Sequence, residues 1–168
     1  MKKAILKLDY TCNNNCSFCH AAERHKAINS TLPEIKRKID LAQVMGCQQL
    51  LLSGGEPTIY RKLSAVTSYL KEKHLAFGLI TNARMLSNVE FLEKLQHDGL
   101  VYVYVSFLSA DPRIQELLTG TNSFEQVSAG IRNCVKYNLD VKVNITLTRQ
   151  NVSSLMPTVK LLQRLGVK

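Results

Sequence analysis

An α/β fold built on a parallel sheet is what this sequence predicts, and three observations predict it. Strand-like and helix-like segments alternate almost without interruption along the 168 residues. The links between them are short, with no repeat, linker or low-complexity stretch. That alternation argues for parallel strands joined by right-handed helical crossovers. The length then bounds the architecture: a closed eightfold barrel takes roughly 250 residues, so the chain predicts an open sheet or a partial barrel in one domain.

Residues 3–9 read as a first strand, followed by a long polar loop that carries Cys12, Cys16 and Cys19. Ser30 and Thr31 before Pro33 and Glu34 make a helix start, and Ile35, Ile39, Ala42 and Met45 keep helical period up to Gly46. Leu50, Leu51 and Leu52 form a buried strand that stops at Ser53, Gly54 and Gly55. Helix is expected over 63–70, strand over 76–80, and helix over 89–95, ending near Gly99. The segment 100–107, rich in Val and Tyr, is the strongest strand signal. Helix over 124–137, strand over 141–147 and helix over 153–165 complete five βα units. The sequence stops directly after a helix, where a sixth strand is expected; the natural unit is therefore expected to be longer, and the sheet to carry an open edge.

Composition narrows the function classes. Apolar residues make up 45% and charged residues 21%, values of a soluble globular chain rather than a disordered or fibrous one. No apolar run approaches the ~18 residues of a membrane span, and Lys7 and Asp9 interrupt any signal-peptide core near the start. A cytoplasmic domain with no membrane partner is expected. The net charge of +9 comes from basic residues scattered along helices, such as Lys36, Arg37, Lys38, Lys71, Lys73, Lys160 and Arg164. Scattered in this way they read as solvated helix faces, not a nucleic-acid site, although a positive field suits an anionic cofactor or substrate. Five cysteines, three of them within eight residues, point to a metal and away from a disulfide scaffold.

The chemistry concentrates in two loops. Cys12, Cys16 and Cys19 make a C-x3-C-x2-C run, and Asn13, Asn14 and Asn15 tolerate the left-handed turns that wrapping an inorganic core requires. A four-iron cluster held entirely by protein needs four cysteines; three leave one iron open to a ligand. The alternative is zinc held by the same cysteines and His20, disfavoured because structural zinc sites usually pair knuckles distant in sequence and because His20 adjoins Cys19. Cys47 and Cys134 read as buried core thiols. In the second loop, Gly54 and Gly55 permit close backbone approach to a ligand, and Glu56, before Pro57, offers an acceptor to a cation. The cysteine loop, the 54–56 loop, Thr81 and Asn82, Ser106, and Thr148 and Arg149 each follow a separate strand. In a parallel barrel they converge at the C-terminal end of the sheet.

With these residues in place the sequence resembles the radical SAM superfamily. The likeness rests on the cysteine signature with Phe18 before its last member, and on Gly54-Gly55-Glu56-Pro57 one βα unit later. Weaker agreement follows at Thr81-Asn82-Ala83, where the family pattern has Thr-Asn-Gly, at Ser106, and along the stretch 118–125, which resembles a linker before the fourth helix. Further agreement runs from Asn144 to Asn151 and at 165–167, as in the peptide- and cofactor-maturing, SPASM-like branch; no cysteine-rich C-terminal extension follows. The resemblance implies a partial (β/α)6 barrel of TIM type. It implies a [4Fe–4S] cluster on Cys12, Cys16 and Cys19, S-adenosylmethionine chelated to the open iron, an external electron donor, and a substrate that the sequence does not identify, a peptide being one candidate, that gives up hydrogen to a 5′-deoxyadenosyl radical. Phe18 would lie near adenine, Gly54 and Gly55 would present backbone to the methionine moiety, Glu56 would take its ammonium group, and Ser106 would contact ribose or carboxylate. Thr81, Asn144 and Arg149 are further contacts. A cluster-binding module without turnover and a zinc-stabilised α/β domain stay open as other readings.

Overall fold

Parallel pairing in chain order fixes the layout. In the computed structural model, which describes residues 2–21 and 30–168, strands β1 (Lys3–Lys7), β2 (Gln49–Ser53), β3 (Ala76–Thr81), β4 (Leu100–Ser106) and β5 (Asp140–Asn144) form one sheet in the order β1-β2-β3-β4-β5. All four pairings are parallel. The rest of the expected polar loop, 22–29, lies outside the described residues. Helices α1 (Leu32–Val44), α2 (Leu63–Glu72), α3 (Val89–His97), α4 (Pro112–Thr119), α5 (Phe124–Lys136) and α6 (Leu155–Arg164) fill the crossovers. No described helix is long and apolar enough to cross a membrane.

Right-handed crossovers between sequential neighbours put the connecting helices on one face of the sheet. The core lies there: Leu6, Leu50, Leu52, Phe77, Leu79, Val103 and Val105 pack against apolar residues of α1, α2, α3 and α5, such as Ile35, Ile39, Val66, Leu92 and Ile131. The opposite, concave face alternates with this set and is more polar, with Lys3, Lys7, Ser53, Tyr104, Ser106 and Lys142 beside Ile5, which is 64% exposed. Cys47 and Cys134 are buried in the helix-side core, as expected.

The strand expected over 3–9 ends its ladder at Lys7, although the Leu8 amide still donates to the Ser53 carbonyl at 2.9 Å. The strand expected over 141–147 is shorter, ending at Asn144. The sequence predicts no helix between 107 and 124, so α4 is an addition to the expected units. It is two turns long, with Leu117 exposed, so the apolar period is too brief to register. Its end signals are nevertheless present. Asp111 caps the Arg113 amide at 2.9 Å, Pro112 occupies the first turn, and Gly120 closes the helix at φ 64°.

Gly130 in the middle of α5 reverses an ordinary rule. A Cβ there would stand 2.2 Å from the Ala83 carbonyl oxygen, which belongs to the turn after β3. Glycine to alanine in a helix interior normally stabilises by ~1 kcal/mol. Here Gly130→Ala is expected to destabilise by about 1–3 kcal/mol through overpacking against backbone. Urea denaturation of the two proteins measures the sign.

Candidate functional site

Three loop systems meet at the C-terminal end of the sheet, and backbone hydrogen bonds join the first two. The Gly55 amide donates to the Asp9 carbonyl at 2.9 Å and the Glu56 amide to the Thr11 carbonyl at 2.8 Å, extending the β1–β2 pairing into the start of the cysteine loop. A Cβ on Gly54 would lie 2.1 Å from the Asp9 oxygen and one on Gly55 2.2 Å from the Thr11 oxygen. The two glycines therefore admit the cysteine loop itself. The close approach expected for a ligand is made here by protein backbone.

The third system is the turn after β3. Thr81 and Asn82 end the strand, and Ala83 reverses the chain at φ 59°, a left-handed conformation that costs an alanine about 1 kcal/mol. The Ala83 amide donates to Thr81 Oγ1 at 2.9 Å and the Arg84 amide to Asn82 Oδ1 at 3.1 Å, which holds the turn without the glycine of the family pattern. On the far side, the C-terminal turn of α4 grips the cysteine loop: the Asn15 amide donates to the Thr119 carbonyl at 2.9 Å and the Ser17 amide to the Leu118 carbonyl at 3.0 Å.

Glu56 sits between these loops with 1% of its surface exposed. Its Oε1 accepts from the Thr58 amide (3.0 Å), the Thr58 hydroxyl and the Thr81 hydroxyl (2.7 Å), and its Oε2 accepts from the Asn82 amide (2.6 Å). Burial raises its pKa, and these bonds oppose the rise. The carboxylate is thus a brace between the ends of β2 and β3, with four hydrogen bonds from protein donors.

The three site cysteines are half-buried free thiols around one cavity of about 390 Å³. Phe18, Gly54, Gly55, Glu56, Ser106 and Asn144 line the same cavity, so every cofactor contact expected from the sequence, Arg149 excepted, borders one space. Thr81 borders it too. Arg149 is exposed and lies beyond the lining, on the turn before α6. Ser106 and Asn144 are register partners at the ends of β4 and β5. Thr119, at the end of α4, and Leu108 and Thr146, two residues past the ends of β4 and β5, also reach the cavity without having been singled out as contacts from the sequence.

Burial first, then the neighbouring Cys12 and Cys19, pushes the Cys16 thiol up to about 11. Burial likewise raises Cys12, partly offset by the Asn14 amide pointing at its sulfur at 3.4 Å. These shifts disfavour thiolates at Cys12 and Cys16, and a cationic core would supply the charge that lets them ionise. Among the described residues no three His, Cys, Asp or Glu side chains close around a single metal ion. The thiols instead stand around a shared cavity, the arrangement that ligands to separate irons of one cluster need, and the residues fit a [4Fe–4S] core better than zinc.

Residues 8–162 match the radical SAM superfamily. The chain belongs to that superfamily. It is 33% identical over 146 residues to a probable GTP 3′,8-cyclase of Thermococcus kodakarensis, which covers 86% of this chain and 47% of the relative. It thus spans about half the length of the curated relatives it matches. Among solved structures, Streptococcus suis SuiB bound to its precursor peptide SuiA superposes with a TM-score of 0.83 at 18% identity, over 98% of this chain and 37% of that one. Methylornithine synthase (PylB) superposes at 0.80 and 18% identity, over 98% and 50%. At that identity the likeness is one of fold: the partial TIM-like barrel of radical SAM enzymes. The family match assigns the superfamily and no particular branch of it.

Glu56→Gln tests the brace. Each carboxylate oxygen accepts from a backbone amide, so either orientation of a glutamine sets its NH2 group against an N–H donor. The expected cost is about 1–3 kcal/mol in urea denaturation. An unchanged midpoint would show that the buried bonds do not hold the loops.

Proposed function

We propose that this radical SAM enzyme holds a [4Fe–4S] cluster on Cys12, Cys16 and Cys19 and cleaves S-adenosylmethionine reductively to take hydrogen from a substrate. The observation that carries this reading is the convergence of the three thiols, the 54–56 loop, Ser106 and Asn144 on one cavity from four different strands. Held by Cys12, Cys16 and Cys19 and reduced by an external donor, a cluster there would supply the electron for reductive cleavage of the sulfonium. The chain's part is to bind, orient and shield. Phe18 offers an apolar ring to the adenine, and Ser106 and Asn144 offer hydroxyl and amide groups to the ribose or carboxylate. Glu56 has no basic partner among the described residues, so its buried charge favours a cationic ligand nearby while its oxygens stay bonded to protein. Three cysteines that leave one iron open and a complete 54–56 loop favour turnover over a binding-only remnant.

For the substrate, a phosphate-bearing molecule has more support than a peptide. The relatives about one-third identical are named GTP 3′,8-cyclases, and the concave face below the cavity presents cations from both edges of the sheet. Lys7 pairs in register with Ser53, and Lys142 with Tyr104 one row beneath Ser106 and Asn144. Lys3 lies 4.2 Å from the Tyr102 ring centre and Lys142 5.6 Å from that of Tyr104. Asp140 offsets Lys142 at 3.2 Å, leaving Lys3 and Lys7 without an acidic partner among the described residues.

Two experiments test these readings. After anaerobic iron–sulfur reconstitution and dithionite reduction, incubation with S-adenosylmethionine should release 5′-deoxyadenosine, measured by chromatography, above a Cys16→Ala control. Alanine at Cys12, Cys16 or Cys19 should abolish the cluster's visible absorbance, whereas Cys47→Ala and Cys134→Ala should keep their iron. Equal loss from Cys47→Ala would overturn the ligand assignment. In calorimetric titration the Lys3→Ala, Lys7→Ala double variant should bind GTP at least about tenfold more weakly, ~1.4 kcal/mol, with guanosine unaffected. Equal affinity of both proteins for GTP would remove the anionic-substrate reading.

A further inference from the structure

The cysteine loop is held in two halves by two unrelated devices. The half from Asn15 to Cys19 hangs on main chain, from the carbonyls that end α4 and from the Cys19 amide donating to the Cys16 carbonyl at 3.1 Å. The half between Cys12 and Asn15 has no such ladder beyond the Asn14 amide on Cys12 Sγ. It is held by side chains of the turn after β3. Arg84 Nη1 donates to both the Asn13 carbonyl and Asn14 Oδ1, the latter at 3.0 Å. Asn82 Nδ2 donates to Asn13 Oδ1 at 2.7 Å. The guanidinium is itself fixed in plane, because Arg84 Nε donates to Gln126 Oε1 on α5 at 2.8 Å. Among the described residues, Arg84 is the cationic side chain hydrogen-bonded within 12–19.

We propose that Arg84 is a positioning residue that sets the chelating shape of the Cys12-to-Cys16 span before iron arrives. The proposal rests on the cluster reading above and adds to it a residue outside both family motifs. Its geometry is specific to arginine. One nitrogen spans a main-chain and a side-chain acceptor on consecutive residues while a second is tied to another helix, a fork that a lysine ammonium cannot reproduce. The three Asn residues between the cysteines have conformational freedom to lose, and fixing them in the metal-free protein removes that ordering cost from cluster assembly. The left-handed Ala83 is part of the device, since it turns the chain so that Arg84 points back over the cysteine loop.

The test reads the metal-free protein first. By hydrogen exchange with mass spectrometry, Arg84→Ala is expected to accelerate exchange across 12–19 about tenfold, with α1 and α2 unchanged. Arg84→Lys, keeping the charge and one contact, should fall between. After reconstitution, Arg84→Ala should lose iron to a chelator several-fold faster than the parent, with the same iron content at the start of the chase. Should Arg84→Ala fail to fold, Asn14→Ala and Gln126→Ala each remove one arm of the fork, and each should accelerate the same peptides less. Unchanged exchange over 12–19 in folded variants, or acceleration spread evenly over the sheet, overturns the proposal. A parent protein that assembles no cluster overturns the functional reading instead, while the metal-free exchange still decides the role of Arg84.

Discussion

The site depends on the contact between the backbone of residues 9–11 and the two glycines after β2. Carbonyl oxygens of Asp9 and Thr11 occupy the volume that side chains at Gly54 and Gly55 would fill, and the amides of Gly55 and Glu56 bond to those same carbonyls. The cysteine loop is thereby launched from β1 in a fixed direction, as an extension of the sheet instead of a free loop. Everything downstream is attached to that launch. The β3 turn reaches the first half of the loop through Arg84 and Asn82, and the end of α4 reaches the second half through main chain. Glu56, held in place by the same pairing, ties the β2 and β3 systems together from below.

Charge gives the bare site an imbalance that its ligands relieve. A buried carboxylate with no basic partner among the described residues stands close enough to Cys12 to help raise its pKa, and the neighbouring thiols help raise Cys12 and Cys16. Such a set is poorly suited to holding negative charge alone. A cationic inorganic core would let the thiols ionise, and the buried carboxylate would favour a second cationic group beside it. Hydrogen-bonding Glu56 entirely to protein keeps its charge fixed without spending its oxygens on the ligand.

Much of the fold and the outline of the site were legible in the sequence, for physical reasons. Strands β2, β3 and β4 are short apolar runs ended by Gly or small polar residues, and their neighbouring helices carry clear apolar period. The cysteine spacing and the two glycines declared themselves because few other demands produce them. Less legible was what depends on long-range partners. Arg84 looks like any surface cation until β3 places it over Asn13, and Glu56 looks like an open acceptor until Thr58, Thr81 and Asn82 close around it. Helix α4 was hidden by its brevity, although Asp111, Pro112 and Gly120 mark both its ends. Arg149 was placed in the site by its position after β5, but the chain turns it outward before α6.

One extra residue decides which face Ser106 presents. Between β3 and β4 the register shifts after Phe77, which pairs with Leu100, so that Gly78 pairs with Tyr102 and Val101 is left unmatched. Side chains alternate with a period of two, so without this bulge Tyr102 would align with Leu79 and point into the helix-side core. Ser106 would follow it, away from the cavity. With the bulge, Tyr102 lies across Gly78, where no side chain could fit beneath its ring, and Tyr104 and Ser106 rise above it on the concave face. The ring of Tyr102, buried and stacked by Lys3, closes the lower end of that face. The open end is left to the loops that carry the cysteines. A local irregularity in one strand pair thus decides that Tyr102 closes the lower end of this face and that Ser106 reaches the cavity lining.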